Sequence, residues 1–150
     1  MVKKVALLTS GGDAPGMNAA IRAIVRSGLI NNMEMYAVFE GFKGLVEDQI
    51  VPVDRSFVSE ILMRGGTILK TARLKSFIED SVQDIAVANL KKHGIDALVI
   101  IGGDGSYRGG SALAKKGVNV IGIPATIDND VTGTDTTIGF DTALNTITEA

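Results

Sequence analysis

Val99-Ile100-Ile101-Gly102-Gly103-Asp104-Gly105-Ser106 is the stretch that decides how this chain is read, because an apolar run stops there at glycines and a single acid. Residues 97–101 read as a buried parallel strand, and Ser106 as the cap of the helix that follows. Glycines at such a turn let the backbone approach a ligand closely, and the free N–H groups of a helix start favour an anion. The turn is therefore a candidate phosphate site. Asp104 adds a carboxylate to that anion site, an arrangement that makes most sense when a divalent cation lies between it and phosphate. The plain alternative is a strand-to-helix turn whose Asp only satisfies backbone donors.

Working outward, a short apolar strand at residues 5–8 runs into Thr9-Ser10-Gly11-Gly12-Asp13-Ala14-Pro15-Gly16-Met17-Asn18, a second turn of the same kind. Gly11 and Gly16 have the spacing of a Walker A loop, but Met17-Asn18 stand where that loop needs Lys-Ser or Lys-Thr, so this is not a P-loop. Arg108 occupies the third-glycine position of a dinucleotide fingerprint begun by Gly103-x-Gly105, which disfavours a Rossmann dehydrogenase. Residues 118–123 form another buried strand, ending in Pro124-Ala125-Thr126-Ile127-Asp128-Asn129-Asp130.

Between these turns, residues 17–31 predict a helix with Ile21, Ile24, Val25 and Leu29 on one face. Arg22 and Arg26, one turn apart, either grip a phosphate group or form a solvated flank. A strand at residues 35–39 leads to Glu40-Gly41-Phe42-Lys43-Gly44, a loop whose aromatic either lies against a base or belongs to the core. Residues 55–60 start a short helix that ends near Arg64-Gly65-Gly66-Thr67, after which Lys70, Arg73 and Lys75 bring positive charge. Asp80 or Ser81 caps a helix carrying Val82, Ile85, Ala86 and Leu90 and closed by Lys91, Lys92, His93 and Gly94. His93 reads there as a C-cap or dipole-compensating residue, not a catalyst. A helix over 106–116 precedes the 118–123 strand.

This alternation predicts an α/β fold: a doubly wound, mainly parallel sheet with helices on both faces, three layers in all. Ligands of such sheets gather at the carboxyl ends of the strands, where all the glycine and acid loops fall.

Composition narrows the function. A chain of 150 residues with 45% hydrophobic content and 18 glycines suits one domain rich in tight turns. With 15 Lys and Arg against 17 Asp and Glu, the net charge is −2, so nothing suggests nucleic acid or an anionic membrane as partner. No cysteine and only one histidine exclude disulfides, thiolate chemistry and a His-based metal cluster. The apolar run at residues 5–8 is too brief for a signal peptide or membrane span, and a cytoplasmic protein is expected.

Asp104 and the pair Asp128 and Asp130 come from adjacent strand ends, and three carboxylates so close repel unless a cation or proton relieves them. Phosphoryl transfer needs this inventory: a magnesium ion bridging phosphates, N–H groups and an Arg to meet developing charge, and a carboxylate to take the hydroxyl's proton. Asp104 falls to the magnesium side and Asp128 becomes the candidate base, with Thr126 positioning the substrate. Asx-turns after a strand are the plain alternative for Asp128 and Asp130.

Four motifs in order, Leu8-TSGGDAPGMNAAI-Arg22, Gly66-TxLxxx-Arg73, Ile101-GGDG-Ser106 and Pro124-ATIDN-Asp130, are similar to the successive signatures of bacterial ATP-dependent 6-phosphofructokinase, from the first residues to Ala150. The resemblance implies transfer of the γ-phosphoryl group of ATP to the 1-hydroxyl of fructose 6-phosphate. It implies ATP at Gly12, Arg73, Leu74 and the Gly103, Asp104, Gly105, Ser106 turn, with Mg2+ on Asp104. Thr126, Ile127 and Asp128 then meet the sugar phosphate, Asp128 as the base. Arg22, Arg26, Arg55, Ser59 and Glu60 match the family's site for an allosteric nucleotide or phosphometabolite, between subunits of a homotetramer.

The sequence departs from the family at Lys70-Thr71, Leu74 and Phe42, where relatives often carry Gly-Ser, an aromatic and a tyrosine. Pyrophosphate-using relatives carry Asp and Lys where this chain has Gly105 and Ala125, which favours ATP here. Family members are about twice as long. Residues 1–138 are accordingly expected to form a nucleotide-binding domain and 139–150 the start of a truncated second one, with little or no turnover from this chain alone. A nucleotide-binding module without turnover is the alternative, while kinases of NAD or lipid share GGDG but neither TIDND nor GGDAPGMN.

Overall fold

The computed structural model describes residues 1–150. Five strands, β1 (Lys4–Thr9), β2 (Glu34–Val38), β3 (Ile50–Val53), β4 (Ala97–Gly102) and β5 (Asn119–Pro124), form one sheet in the order β3-β2-β1-β4-β5. Only β3 runs antiparallel, against β2. The helices are α1 (Met17–Ile30), α2 (Gly41–Val46), α3 (Asp80–Lys92), α4 (Asp104–Lys115) and α5 (Phe140–Glu149), with a 3-10 turn at Lys75–Ile78.

Side chains alternate across a strand, so β1 and β4 each supply two cores. Val5, Leu7, Ala97, Val99 and Ile101 face one side with Met17, Ile21 and Val25 of α1. Ala6, Leu8, Leu98 and Ile100 face the other with Leu45 of α2, Leu90 of α3 and Leu113 of α4. The expected three layers are present. The chain winds outward from β1 through β2 and from β4 through β5, so the winding reverses between β1 and β4. A crevice opens at the carboxyl ends of two such strands.

Several local expectations fail for identifiable reasons. Ser106 does not cap α4, which begins two residues earlier at Asp104. Neither Asp80 nor Ser81 caps α3, whose first residue is Asp80 itself. Residues 55–60 form successive turns, not a helix: Asp54 Oδ1 accepts from the N–H groups of Ser56 (2.9 Å) and Phe57 (3.1 Å), and Glu60 has a left-handed φ of 58°. Phe42 cannot meet a base, since it lies 8% exposed in the core, stacked on Phe77 at 4.4 Å. β3 was not foreseen, and its Pro52 is tolerated because β3 is an edge strand.

His93 ends α3 as expected, and its ring nitrogen lies 2.6 Å from Asp48 Oδ1 while Lys92 Nζ donates to Asp48 Oδ2 at 2.6 Å. The hydrogen bonds from Lys92 and His93 hold the Asp48 carboxyl below the usual carboxylate range. A group held low in the fold stabilises it above its unfolded value, and that contribution is lost as pH falls through the lowered value. Asp48→Asn is therefore expected to lower Tm at neutral pH, with the gap to the unsubstituted chain closing in acid. Thermal melts from neutral to strongly acidic pH check this, and a constant gap contradicts it.

Candidate active site

The first wall of the crevice is the 10–16 turn after β1. Ser10 N–H donates to the Ile101 carbonyl of β4 (3.0 Å), and the turn continues through Gly11 in the left-handed region (φ 85°). The second wall is the start of α4. Gly102 lies so close to Ser10 and Ser106 that a Cβ there would sit 2.6 Å from the Ser10 carbonyl oxygen. Ser106 Oγ, buried between the two turns, has no hydrogen-bond partner. A buried hydroxyl without a partner is costly, and it faces the turns suited to an anion.

The third wall is the 125–138 loop after β5. It folds back so that Ile138 N–H reaches the Pro124 carbonyl (2.9 Å) and Thr137 Oγ1 donates to the Thr126 carbonyl (2.6 Å). Thr126 Oγ1 accepts from Asp128 N–H (3.2 Å), which fixes where the exposed Asp128 leaves the loop. A Cβ on Gly103 would lie 3.4 Å from Thr126 Cβ, so the GGDGS and TIDND stretches stand side by side. Ile127 is exposed beside them.

The expected cluster of three carboxylates does not form: no group of three or more acids or imidazoles is close enough to hold a metal. Asp104 instead pairs with Arg108 at 3.0 Å, one turn along α4, and Asp128 is tethered to the separate 125–138 loop. Magnesium usually takes only one or two carboxylates together with substrate phosphates. The half-exposed Asp104 fits that role, and a Cβ at Gly105 or Gly12 would meet nothing within 4 Å, which leaves room for phosphate.

Arg73 and Leu74 follow the 64–70 segment, which packs under the first turn through Thr67 and Lys70. The two residues that make this union, Thr9 and Asn18, escaped the sequence reading. A threonine closing an apolar strand and an asparagine in the first turn of α1 were the available signals. The remaining candidates form a second group. Arg22 Nη1 donates to the Val58 carbonyl (2.6 Å), bringing α1 to the turns that carry the exposed Arg55, Ser59 and Glu60, with Arg26 exposed one turn along the helix.

Residues 4–150 match the family model described as phosphofructokinase. The chain belongs to the phosphofructokinase family. It is 57% identical over all 150 residues to the ATP-dependent 6-phosphofructokinases of Tolumonas auensis and Vibrio cholerae, and spans 47% of the length of each. The structure of Pichia pastoris phosphofructokinase in the T-state superposes with a TM-score of 0.95 at 41% identity, over 99% of this chain and 18% of that one. The chain thus spans about half the length of the curated relatives it matches. None of its helices is long and apolar enough to cross a membrane.

Proposed function

We propose that the complete protein transfers the γ-phosphoryl group of MgATP to the 1-hydroxyl of fructose 6-phosphate, giving fructose 1,6-bisphosphate and ADP, as a cytoplasmic step of glycolysis. The observation that carries this reading is the contact of Gly103 with Thr126, which sets a phosphate-suited turn beside a carboxylate loop at the ends of adjacent strands. Gly12, Gly103, Gly105 and Ser106 offer backbone and hydroxyl groups to the nucleotide phosphates, with Arg73 and Leu74 at its side. Asp104 would hold Mg2+, and the ion would supply positive charge to neutralise the phosphates. Thr126 and Ile127 border the sugar phosphate. Asp128 accepts the proton of the 1-hydroxyl as its oxygen attacks the γ-phosphorus and the bond to ADP breaks.

Open space at Gly105 and the small, buried Ala125 support ATP as donor. Arg22, Arg26, Arg55, Ser59 and Glu60 would serve an allosteric nucleotide or phosphometabolite, in a homotetramer of complete subunits. Residues 1–138 are the nucleotide-binding domain and 139–150 open the second. The absence of any buried residue in α5, with Leu144 and Ile147 exposed, supports that division.

Because the chain spans 47% of its relatives, nucleotide binding without turnover is the reading for these 150 residues alone. A coupled assay for fructose 1,6-bisphosphate with MgATP, beside a titration of ATP binding, tests it. Binding without product is the expected outcome. Turnover would show that one domain carries a complete site, and no binding would remove the nucleotide assignment.

A further inference from the structure

Asn18 lies 1% exposed in the first turn of α1, and its side chain is spent on one short segment. Its Nδ2 donates to the carbonyls of Arg64 (3.0 Å) and Gly65 (3.3 Å), and its Oδ1 accepts from Ile68 N–H (2.8 Å). Its own N–H donates to the Gly66 carbonyl at 3.2 Å. Only a carboxamide combines these donors and this acceptor at one length.

Thr9, 0% exposed at the end of β1, grips the same segment. Its Oγ1 donates to the Lys70 carbonyl (3.0 Å), so the bond it shares with Thr67 Oγ1 (2.8 Å) has Thr67 as donor. Thr67 Oγ1 in turn accepts from Leu69 N–H at 3.1 Å. The protons thus run one way, from Leu69 through Thr67 and Thr9 to Lys70. The segment they hold includes Lys70 at φ 62°, a conformation that a residue with a Cβ keeps only when its surroundings enforce it.

Thr9 precedes the 10–16 turn and Asn18 follows it, so both ends of that turn are bonded to residues 64–70. Arg73 lies three residues further on. We infer that Thr9 and Asn18 are positioning residues that lock the 10–16 turn to the 64–70 segment, fixing the spacing between Gly12 and Arg73 and with it the affinity for the nucleoside triphosphate. Neither side chain touches the nucleotide. The inference rests on the nucleotide site proposed above and adds what keeps its two walls in register.

The test is MgATP affinity by titration calorimetry on the 150-residue chain and its Thr9→Val, Thr9→Ser, Thr67→Val and Asn18→Asp variants, with far-UV circular dichroism and urea melts on the same samples. Val matches Thr in shape without the hydroxyl, and Ser restores the hydroxyl. Folded Thr9→Val, Thr67→Val and Asn18→Asp are expected to bind roughly 10- to 100-fold more weakly, the scale at which small misplacements of binding groups act. Thr9→Ser should stay within about twofold of the unsubstituted chain, since the hydroxyl chain is restored. Thr67 is only half-buried, so its variant keeps the test open if the Thr9 change unfolds the chain. Variants that lose only urea resistance and bind as tightly as the parent would overturn the inference while leaving the nucleotide site standing. A folded parent that binds no MgATP would overturn both, a result separable from the first by the parent's titration alone.

Discussion

Asp128→Asn in the complete enzyme is expected to lower kcat by roughly 10²- to 10⁴-fold, the usual contribution of a general base, while MgATP affinity changes little. The amide keeps the size of the carboxylate and cannot take the 1-hydroxyl proton. Asp128 is exposed, and its one hydrogen bond runs from its N–H to Thr126 Oγ1, which the substitution preserves. The loop should therefore stand, held as it is by Thr137 and Ile138. Steady-state kinetics with both substrates varied decide the point. A kcat within a few-fold of the parent would assign Asp128 to loop structure and leave the base elsewhere.

Gly102→Ala is expected to remove nucleotide binding and to destabilise the fold by about 1–3 kcal/mol, the range for overpacking a tight interior. The new methyl would meet the Ser10 carbonyl at 2.6 Å and fall on Ser106 Oγ. A backbone carbonyl bound into the 10–16 turn cannot swing aside as a long side chain could. The strand end must move instead, and with it the Gly102 carbonyl that accepts from Ala125 N–H at 3.0 Å. Both walls of the crevice and the approach to the third shift together. Gly12→Ala is the matched comparison, because a Cβ there meets nothing within 4 Å in the fold. It should leave the urea midpoint unchanged and weaken MgATP binding alone. If Gly102→Ala binds MgATP normally, the crevice between β1 and β4 is not where the nucleotide sits.

Much of this was legible in the chain because the signals are local. An apolar run ended by GGDGS defines a central strand and a helix start whatever lies around it. The helical period over α1, the closing cations of α3 and His93 at its end were equally readable, because each depends on neighbours within one or two turns. Where local signals competed, the reading failed. Ser106 looks like a cap, yet the helix begins at Asp104, and the hydroxyl ends up buried between two turns. Residues 55–60 carry a helical pattern, but the Asp54 carboxylate and the left-handed Glu60 hold them in turns. Phe42 follows a glycine turn, and only the position of Phe77 across the sheet face commits it to the core.

The sequence alone determined the α/β class, the glycine turns, the family and the residue types needed for phosphoryl transfer, since each is written in spacing along the chain. Tertiary structure decided which turns share a crevice: the reversal of winding between β1 and β4 joins the 10–16 turn to the start of α4, and the neighbouring β5 brings Thr126 to Gly103. It also kept Asp104, Asp128 and Asp130 from closing into the single three-carboxylate cluster that their strand ends suggest. Thr9 and Asn18 became important only there, because a hydrogen bond to residues about fifty positions away leaves no period in the sequence. Its partners exist only once the sheet has brought them together.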